Sequence, residues 1–204
     1  AIEYALNDGV DVLTNQQIGL KVEKPIESYS DFYAEFTRQL KFLSDCAIKA
    51  TNLWEENDKF LHGAPIFSST FIEAVSKGGD IYCDRTAKYF NSSINVMGLA
   101  TATDSLYALK KIVFEDKKYT LKEFNDILKS NWKDNEILRL TIKNKLKKFG
   151  NNDDEVDSIA KDIMDDLAKY INKKPNVKGG LYRLGIISID WRWEYGQHTG
   201  ASAD

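Results

Sequence analysis

The sequence predicts a mainly α-helical fold with at least one β-strand, and three observations carry that expectation. Apolar residues recur at spacings of three and four in several long segments, which is the helical period. Polar capping signals stand directly in front of most of those segments. A strict two-residue alternation marks one run alone, Tyr182 to Glu194, and reads as a strand.

Taken in order, Ile2 to Leu6 reads as the end of a helix closed by Asn7-Asp-Gly9, a run suited to a left-handed stop. Residues 7 to 27 hold Gly9, Gly19 and Pro25 with little periodicity and are expected to form an ordered loop. Ser28 to Asp31 is a capping signal, and Phe32, Phe36, Leu40, Leu43, Ala47, Ala50 and Trp54 follow on one face. One long amphipathic helix is expected from about Asp31 to Leu61, with Glu35, Arg38, Lys41, Asp45, Lys49 and Glu56 as solvated charge. Gly63 and Pro65 end it, and a short helix is expected over Ile66 to Lys77, stopping at Gly78-Gly79. From Asp80 to Asn95 no period is evident, so an irregular loop is expected, a kind of segment that often carries function.

Met97 to Phe114 is the stretch that the rest is expected to cover. Gly98, Ala100, Thr101, Ala102, Thr103 and Ser105 leave little side chain between this helix and its neighbours, and charge gathers only near Lys110 and Lys111. The expectation is a helix buried at its start that emerges at its end. Thr120-Leu-Lys-Glu123 is a capping box opening a short helix to about Ser130. A further helix is expected from about Asn135 to Phe149. Asn152, with Glu155 three residues on, caps the next one, whose apolar stripe is Val156, Ile159, Ile163, Leu167 and Tyr170. Pro175 and Gly179-Gly180 close the helical part. The alternating run then sets Ile187, Ile189, Trp191 and Trp193 on one face against Ser188, Asp190, Arg192 and Glu194. This strand has no evident partner in the sequence, and a lone strand is not stable.

Composition bounds the function. With 204 residues, 43% apolar and 12% aromatic, the chain can bury a real core. Its net charge of -3 offers no global attraction to nucleic acid or anionic lipid. No apolar run approaches the roughly 20 residues that span a bilayer, so neither nucleic acid nor membrane is expected as a partner. Two cysteines, Cys46 and Cys83, fit a reducing cytoplasm. The start on Ala1, within what reads as a helix end, and the finish on Gly200 to Asp204 lead us to expect a piece of a longer protein.

Most chemistry-bearing residues have ordinary roles at hand. His62 and His198 lack partners at zinc-ligand spacing, so no metal is expected. Packing is the default for Cys46, and for Cys83 too, although Arg85 nearby could lower a thiol pKa. The acidic run Asp153 to Asp157 lacks the ligand pattern of a calcium loop and reads as a helix cap. Lys143, Lys145, Lys147 and Lys148 read as a solvated face, and Gly179-Gly180 as a tight turn. The Trp-rich strand is the best candidate for a pocket wall, with core packing as the competing reading.

Four segments in order carry a resemblance. They are Ala5-Leu-Asn-Asp-Gly-Val-Asp11; Gly98-Leu-Ala-Thr-Ala-Thr-Asp-Ser-Leu106 with Lys110-Lys111 and Val113-Phe-Glu115; Lys148-Phe-Gly-Asn-Asn-Asp-Asp154 with Val156-Asp157; and Thr199-Gly-Ala-Ser-Ala-Asp204. Together they resemble the glycyl radical enzymes, the pyruvate formate-lyase-like group that includes glycerol and diol dehydratases. The resemblance implies a ten-stranded α/β barrel ringed by helices, of which this chain would be the helical flank. Residues 1–178 would be mainly helical and 179–204 a barrel strand and turn of the same domain. It also implies a thiyl-forming cysteine in a Gly-Cys-Val-Glu loop before Ala5, and a radical-storing glycine beyond Asp204. Neither loop is present, and Cys46 and Cys83 do not match the cysteine motif. No catalytic residue is therefore assigned in this chain, and alone it is expected to be inactive.

What the family would supply is radical cleavage of a C-C, C-N, C-O or C-S bond in a small substrate, as in lyases, dehydratases and formate acetyltransferase. The glycyl radical would be installed by a radical-SAM activating enzyme in an anaerobic cytoplasm, and a homo-oligomer stays open. Where dehydratase-type relatives resemble Arg-Pro-Gly-Leu-Tyr-Ser, this chain reads Arg183-Leu-Gly-Ile-Ile-Ser188. Ile187, Ile189 and Trp191 are accordingly the candidate substrate-binding residues, and the change from Tyr to Ile187 implies a more apolar pocket than a glycerol-like substrate needs. The alternative is a non-catalytic helical binding or scaffold module derived from such an enzyme.

Overall fold

A computed structural model describes residues 1–61, 65–82, 84 and 86–187. In chain order the described elements are α1 (Ile2–Leu6), α2 (Tyr29–Leu61), a 3-10 turn (Ile66–Thr70), α3 (Ile72–Lys77), β1 (Ser92–Val96) and α4 (Leu99–Leu109). A π-helical stretch (Lys110–Glu115) follows, then α5 (Leu121–Lys129), α6 (Glu136–Lys145), α7 (Asp154–Ile171) and β2 (Tyr182–Ile186). The fold is mainly α with one small parallel sheet, as the helical periods require. Two compact units divide it: residues 1–43 with 97–165 and Ile187, and residues 44–96 with 166–186.

In the first unit the core is supplied by Phe32 and Phe36 of α2, Leu106 to Leu109 of α4, Ile112 and Val113 of the π stretch, Phe124 of α5 and Val156, Ile159, Ala160 and Ile163 of α7. Phe114 closes it, its ring 6.2 Å from that of Phe32 and 6.2 Å from that of Tyr29. The expected burial of the Met97–Phe114 helix is met at Thr103, which is fully buried, but otherwise shifts toward the end of the helix. Ala100 and Thr101 are exposed, whereas the residues from Leu106 to Val113 other than the two lysines are buried. Small side chains permit close approach, but the larger Leu and Ile residues gain more by leaving water and take the covered positions.

Local signals set the ends of these helices. Thr120 and Glu123 form the complete capping box, with the Glu123 N–H donating to Thr120 Oγ1 at 3.2 Å and the Thr120 N–H to Glu123 Oε2 at 2.8 Å. At α7 the cap lies one residue later than expected: Asp153 Oδ1 accepts from the Glu155 N–H at 3.1 Å, while Asn152 takes a left-handed φ of 57°. The helix expected to reach Phe149 ends at Lys145. Beyond it Phe149 donates its N–H to Asp104 Oδ1 at 2.8 Å and Gly150 to Asp157 Oδ1 at 2.9 Å. Asp104, the one charge in the small-residue half of α4, thus clasps the loop before α7.

The loop after α1 is ordered, as expected. Gly9 sits at a φ of +76°, and a Cβ there would stand 2.4 Å from the Leu20 carbonyl oxygen, so only glycine fits. Gln39 of α2 donates from Nε2 to Leu20 O at 2.6 Å and accepts from the Leu20 N–H at 2.9 Å. Glu35 corrects the solvated-face expectation for α2. It is buried and paired with Arg38 at 2.8 Å, because the returning loop covers that side of the helix.

The second unit contains the later turns of α2 and α7, α3 and both strands. Its Ile66–Lys77 segment is broken at Phe71, whose backbone is extended (φ -72°, ψ 145°), and Gly78 then stops α3 in the left-handed region. The strand read as partnerless has a partner. β1 pairs parallel with β2 in the register Ser92↔Tyr182 through Val96↔Ile186, inside the stretch expected to be irregular. Parallel strands need a long crossover, and α4 to α7 all lie between them in the chain. Cys46, expected to pack, is exposed, as are Ala50 and Trp54 at the end of the α2 stripe.

Candidate functional site

The strand pair is fixed to α2 by its first residues. Tyr182 is fully buried and donates its hydroxyl to Asn52 Oδ1 at 2.7 Å, with the Ile48 carbonyl oxygen 3.3 Å away as a weaker second acceptor. Burial, and then the charge of Glu55, push the Tyr182 hydroxyl pKa upward. Its register partner Ser92 donates to Glu55 Oε1 at 2.7 Å. Asn176 completes the chain, donating from Nδ2 to Ser92 Oγ at 2.8 Å and to Phe90 O at 2.7 Å while Oδ1 accepts from the Gly180 N–H at 2.7 Å. A Cβ on Gly180 would fall 1.7 Å from Phe90 O, so this turn requires glycine.

Because Tyr182 and Ser92 face α2, period-two alternation turns Ser93 and Asn95 of β1, and Arg183 and Gly185 of β2, to the opposite face. Ser93, Asn95 and Arg183 are exposed. Ile187, one residue past β2, is 40% exposed. Ile189 and Trp191, the other candidate substrate-binding residues, lie outside the described residues, as do His62, Cys83, Trp193 and His198. Sequence reasoning missed Ser93 and Asn95, although Ser93-Ile-Asn-Val96 alternates polar with apolar and was legible as a short strand.

Asp45 lies near the other end of this unit. It accepts from Lys174 Nζ at 2.6 Å and from the Tyr170 hydroxyl at 2.5 Å. Burial acts upward on this carboxyl, but the bonds from Lys174 and Tyr170 outweigh it and hold the pKa below the usual value. Expected as solvated charge, this side chain is 42% exposed and ion-paired.

In the first unit a cleft of about 250 Å³ is lined by Tyr29, Ser30, Tyr33, Lys110, Glu155, Ser158, Ile159 and Asp162. The Tyr29 hydroxyl is buried with no hydrogen-bond partner among the described residues, and its pKa is pushed up to about 12 by burial and then by Asp162. One ammonium and two carboxylates give the cleft no clear preference for ligand charge. Among the described residues no group of three or more His, Cys, Asp or Glu is placed to hold a metal ion. No helix of the described residues is long and apolar enough to cross a membrane.

Residues 1–196 match the sequence pattern of the family described as pyruvate formate lyase-like. The chain belongs to that family. It is 30% identical over 203 residues, 98% of its length, to trans-4-hydroxy-L-proline dehydratase of Clostridioides difficile, and covers 26% of that protein. The solved structure of that organism's hydroxyproline dehydratase, with trans-4-hydroxy-L-proline bound, superposes on 100% of the chain with a TM-score of 0.90 at 28% identity, again over 26% of its own length. The glycerol-bound B12-independent glycerol dehydratase of Clostridium butyricum gives a TM-score of 0.86 at 27% identity, over 98% of this chain and 26% of the dehydratase. A glycyl radical enzyme from Archaeoglobus fulgidus gives 0.81 at 25% identity over 90% of this chain and 23% of its own. The chain thus spans about a quarter of the length of these relatives. Its helices and strand pair correspond to part of a glycyl radical enzyme barrel.

Proposed function

We propose that the complete protein carrying this chain is a glycyl radical enzyme that cleaves a C-O, C-N, C-S or C-C bond of a small substrate, with dehydration as the leading reaction. The observation that carries this reading is the match of the whole chain, at a TM-score of 0.90, to one quarter of a hydroxyproline dehydratase. In that reading residues 1–204 are one piece of a single domain: the strand pair belongs to the barrel wall, and α2 and α7 to the helical layer outside it. The face bearing Ser93, Asn95 and Gly185 then looks inward.

The glycyl radical, installed by a radical-SAM activating enzyme in an anaerobic cytoplasm, would supply the hydrogen-atom chemistry. Residues of this chain contribute position and exclusion. Helices packed outside the wall keep water and stray hydrogen donors from the interior. Ile187, Ile189 and Trp191 line the substrate space in this reading, and an isoleucine where dehydratase-type relatives carry tyrosine favours a less hydroxylated substrate than glycerol. Ile66, Phe67, Ile72 and Val75, exposed in this chain, support contact with more of the polypeptide or with a second copy.

The test is anaerobic turnover by the complete protein, activated and offered trans-4-hydroxy-L-proline and glycerol, beside residues 1–204 alone. Radical-dependent turnover by the complete protein, none by residues 1–204, and an altered substrate preference in Ile187→Tyr are expected. Turnover by residues 1–204 alone, or turnover independent of the radical, contradicts the reading.

A further inference from the structure

We propose that Asn95 is a positioning residue for the substrate, its side-chain amide donating a hydrogen bond to a neutral hydroxyl or carbonyl oxygen; this rests on the glycyl radical enzyme reading above. Three features of β1 and β2 carry the assignment. Asn95 stands on the strand face opposite the one that Tyr182 and Ser92 fix to α2, so its side chain is exposed and takes no part in holding the sheet to the helix.

The amide is also oriented. Ser93, two residues earlier on the same face, donates from Oγ to Asn95 Oδ1 at 3.0 Å. That bond occupies the carbonyl end of the amide, and among the described residues nothing accepts from Nδ2. Two N–H donors are therefore presented outward from a side chain whose rotation is already restricted. An exposed Asn with no partner would have no reason to hold one flip state.

The neighbouring strand accommodates this pair. Gly185 is the register partner of Asn95 on β2, and a Cβ there would lie 2.3 Å from Asn95 Oδ1 and 3.3 Å from Ser93 Oγ. Any side chain at position 185 would displace the pair, so the glycine keeps the Ser93–Asn95 unit in place. Amide donors bind neutral oxygen without adding charge and do not give up a proton at any accessible pH. Asn95 can hold a substrate oxygen in place but cannot protonate a leaving group. The ligand class that fits is a small substrate with a neutral hydroxyl group, such as a hydroxy acid.

The experiment uses the complete, activated protein and whichever of trans-4-hydroxy-L-proline or glycerol it turns over. Asn95→Leu is expected to raise KM about tenfold or more with a smaller change in kcat, the usual consequence of losing a bond to a buried polar group. Asn95→Gln, which keeps the amide, is expected to recover most of that loss, and Ser93→Ala to raise KM about threefold. The glycyl radical signal in electron paramagnetic resonance should be equal in all variants, which a merely structural role for Asn95 would not give. Unchanged KM and kcat in Asn95→Leu overturn the proposal. Should Asn95→Leu lose the radical along with its fold, Ser93→Ala decides, and kinetics identical to the parent overturn it. A parent protein that never acquires a radical refutes the enzyme reading itself, a result distinct from either.

Discussion

The first unit is held mainly by apolar side chains, with caps and a few polar clasps at its loops, whereas the strand pair of the second is tied in by a chain of long-range polar bonds. Around α4 the buried set is dominated by Leu, Ile, Val and Phe, and α5 and α7 are capped by side chains within three residues of their starts. Around β1 and β2 the contacts that matter join residues far apart in sequence: Asp45 with Lys174, Asn52 with Tyr182, Glu55 with Ser92, Asn176 with Phe90. Apolar packing tolerates adjustment, whereas a buried polar chain works only when every member is present. The region that presents the candidate site is thus the more exacting of the two.

The largest expected effect sharpens the apolar half of this contrast. Leu106 is completely buried, and Leu106→Ala should cost about 3 kcal/mol through lost transfer energy and a residual cavity, read by urea unfolding of the complete protein. A loss below about 1 kcal/mol would mean that α4 is not the centre of its unit.

Asn176→Ala comes next. It leaves Ser92, Phe90 O and the Gly180 N–H without their partner, at about 2 kcal/mol for unmade buried bonds. Hydrogen exchange should quicken at the amides of Ser92, Leu181 and Tyr182 and stay unchanged in α5. Equal quickening in both places would break the contrast.

A cap is worth less. Thr120→Ala should cost about 1 kcal/mol, with faster exchange confined to the first turn of α5.

The smallest effect is electrostatic. Lys147 bonds to Asp153 and Glu155, and holds both carboxyls below their ordinary pKa. Groups depressed in this way add stability that is complete above the unfolded carboxylate value of about 4, and lose it as pH falls through the folded values. Lys147→Met should flatten the acid limb of the melting temperature against pH slightly. Molar salt should do the same to the parent protein, because these side chains are solvent-exposed.

Legibility in the sequence follows the same division. The capping box at Thr120, the α2 span to Leu61 and the stripe of α7 from Val156 to Leu167 were readable because each depends on residues three or four apart. β1 was missed: Ser93 to Val96 alternates, but over so few residues that the period was overlooked, and its partner lies beyond four helices. Glu35 was misread as solvated, and the partners of Asp45 went unseen, for a related reason: a helical wheel shows which side of α2 is charged but not that a loop, or Tyr170 and Lys174, will return to meet it. The start of α4 was misjudged because small residues permit close packing without compelling it. Of the candidate site, Ile187 came from the resemblance, whereas Asn95 needed the register with Gly185 before it could be seen.

The central claim is membership of a working glycyl radical enzyme, and the most direct measurement is electron paramagnetic resonance. The complete protein would be incubated without oxygen with a radical-SAM activating enzyme, S-adenosylmethionine and a reductant. A stable doublet from a carbon-centred glycyl radical, destroyed by air with cleavage of the chain at that glycine, is the predicted result. A complete protein that stays silent and uncleaved, while a known family member activates under the same conditions, would contradict the account and leave a helical module without radical chemistry.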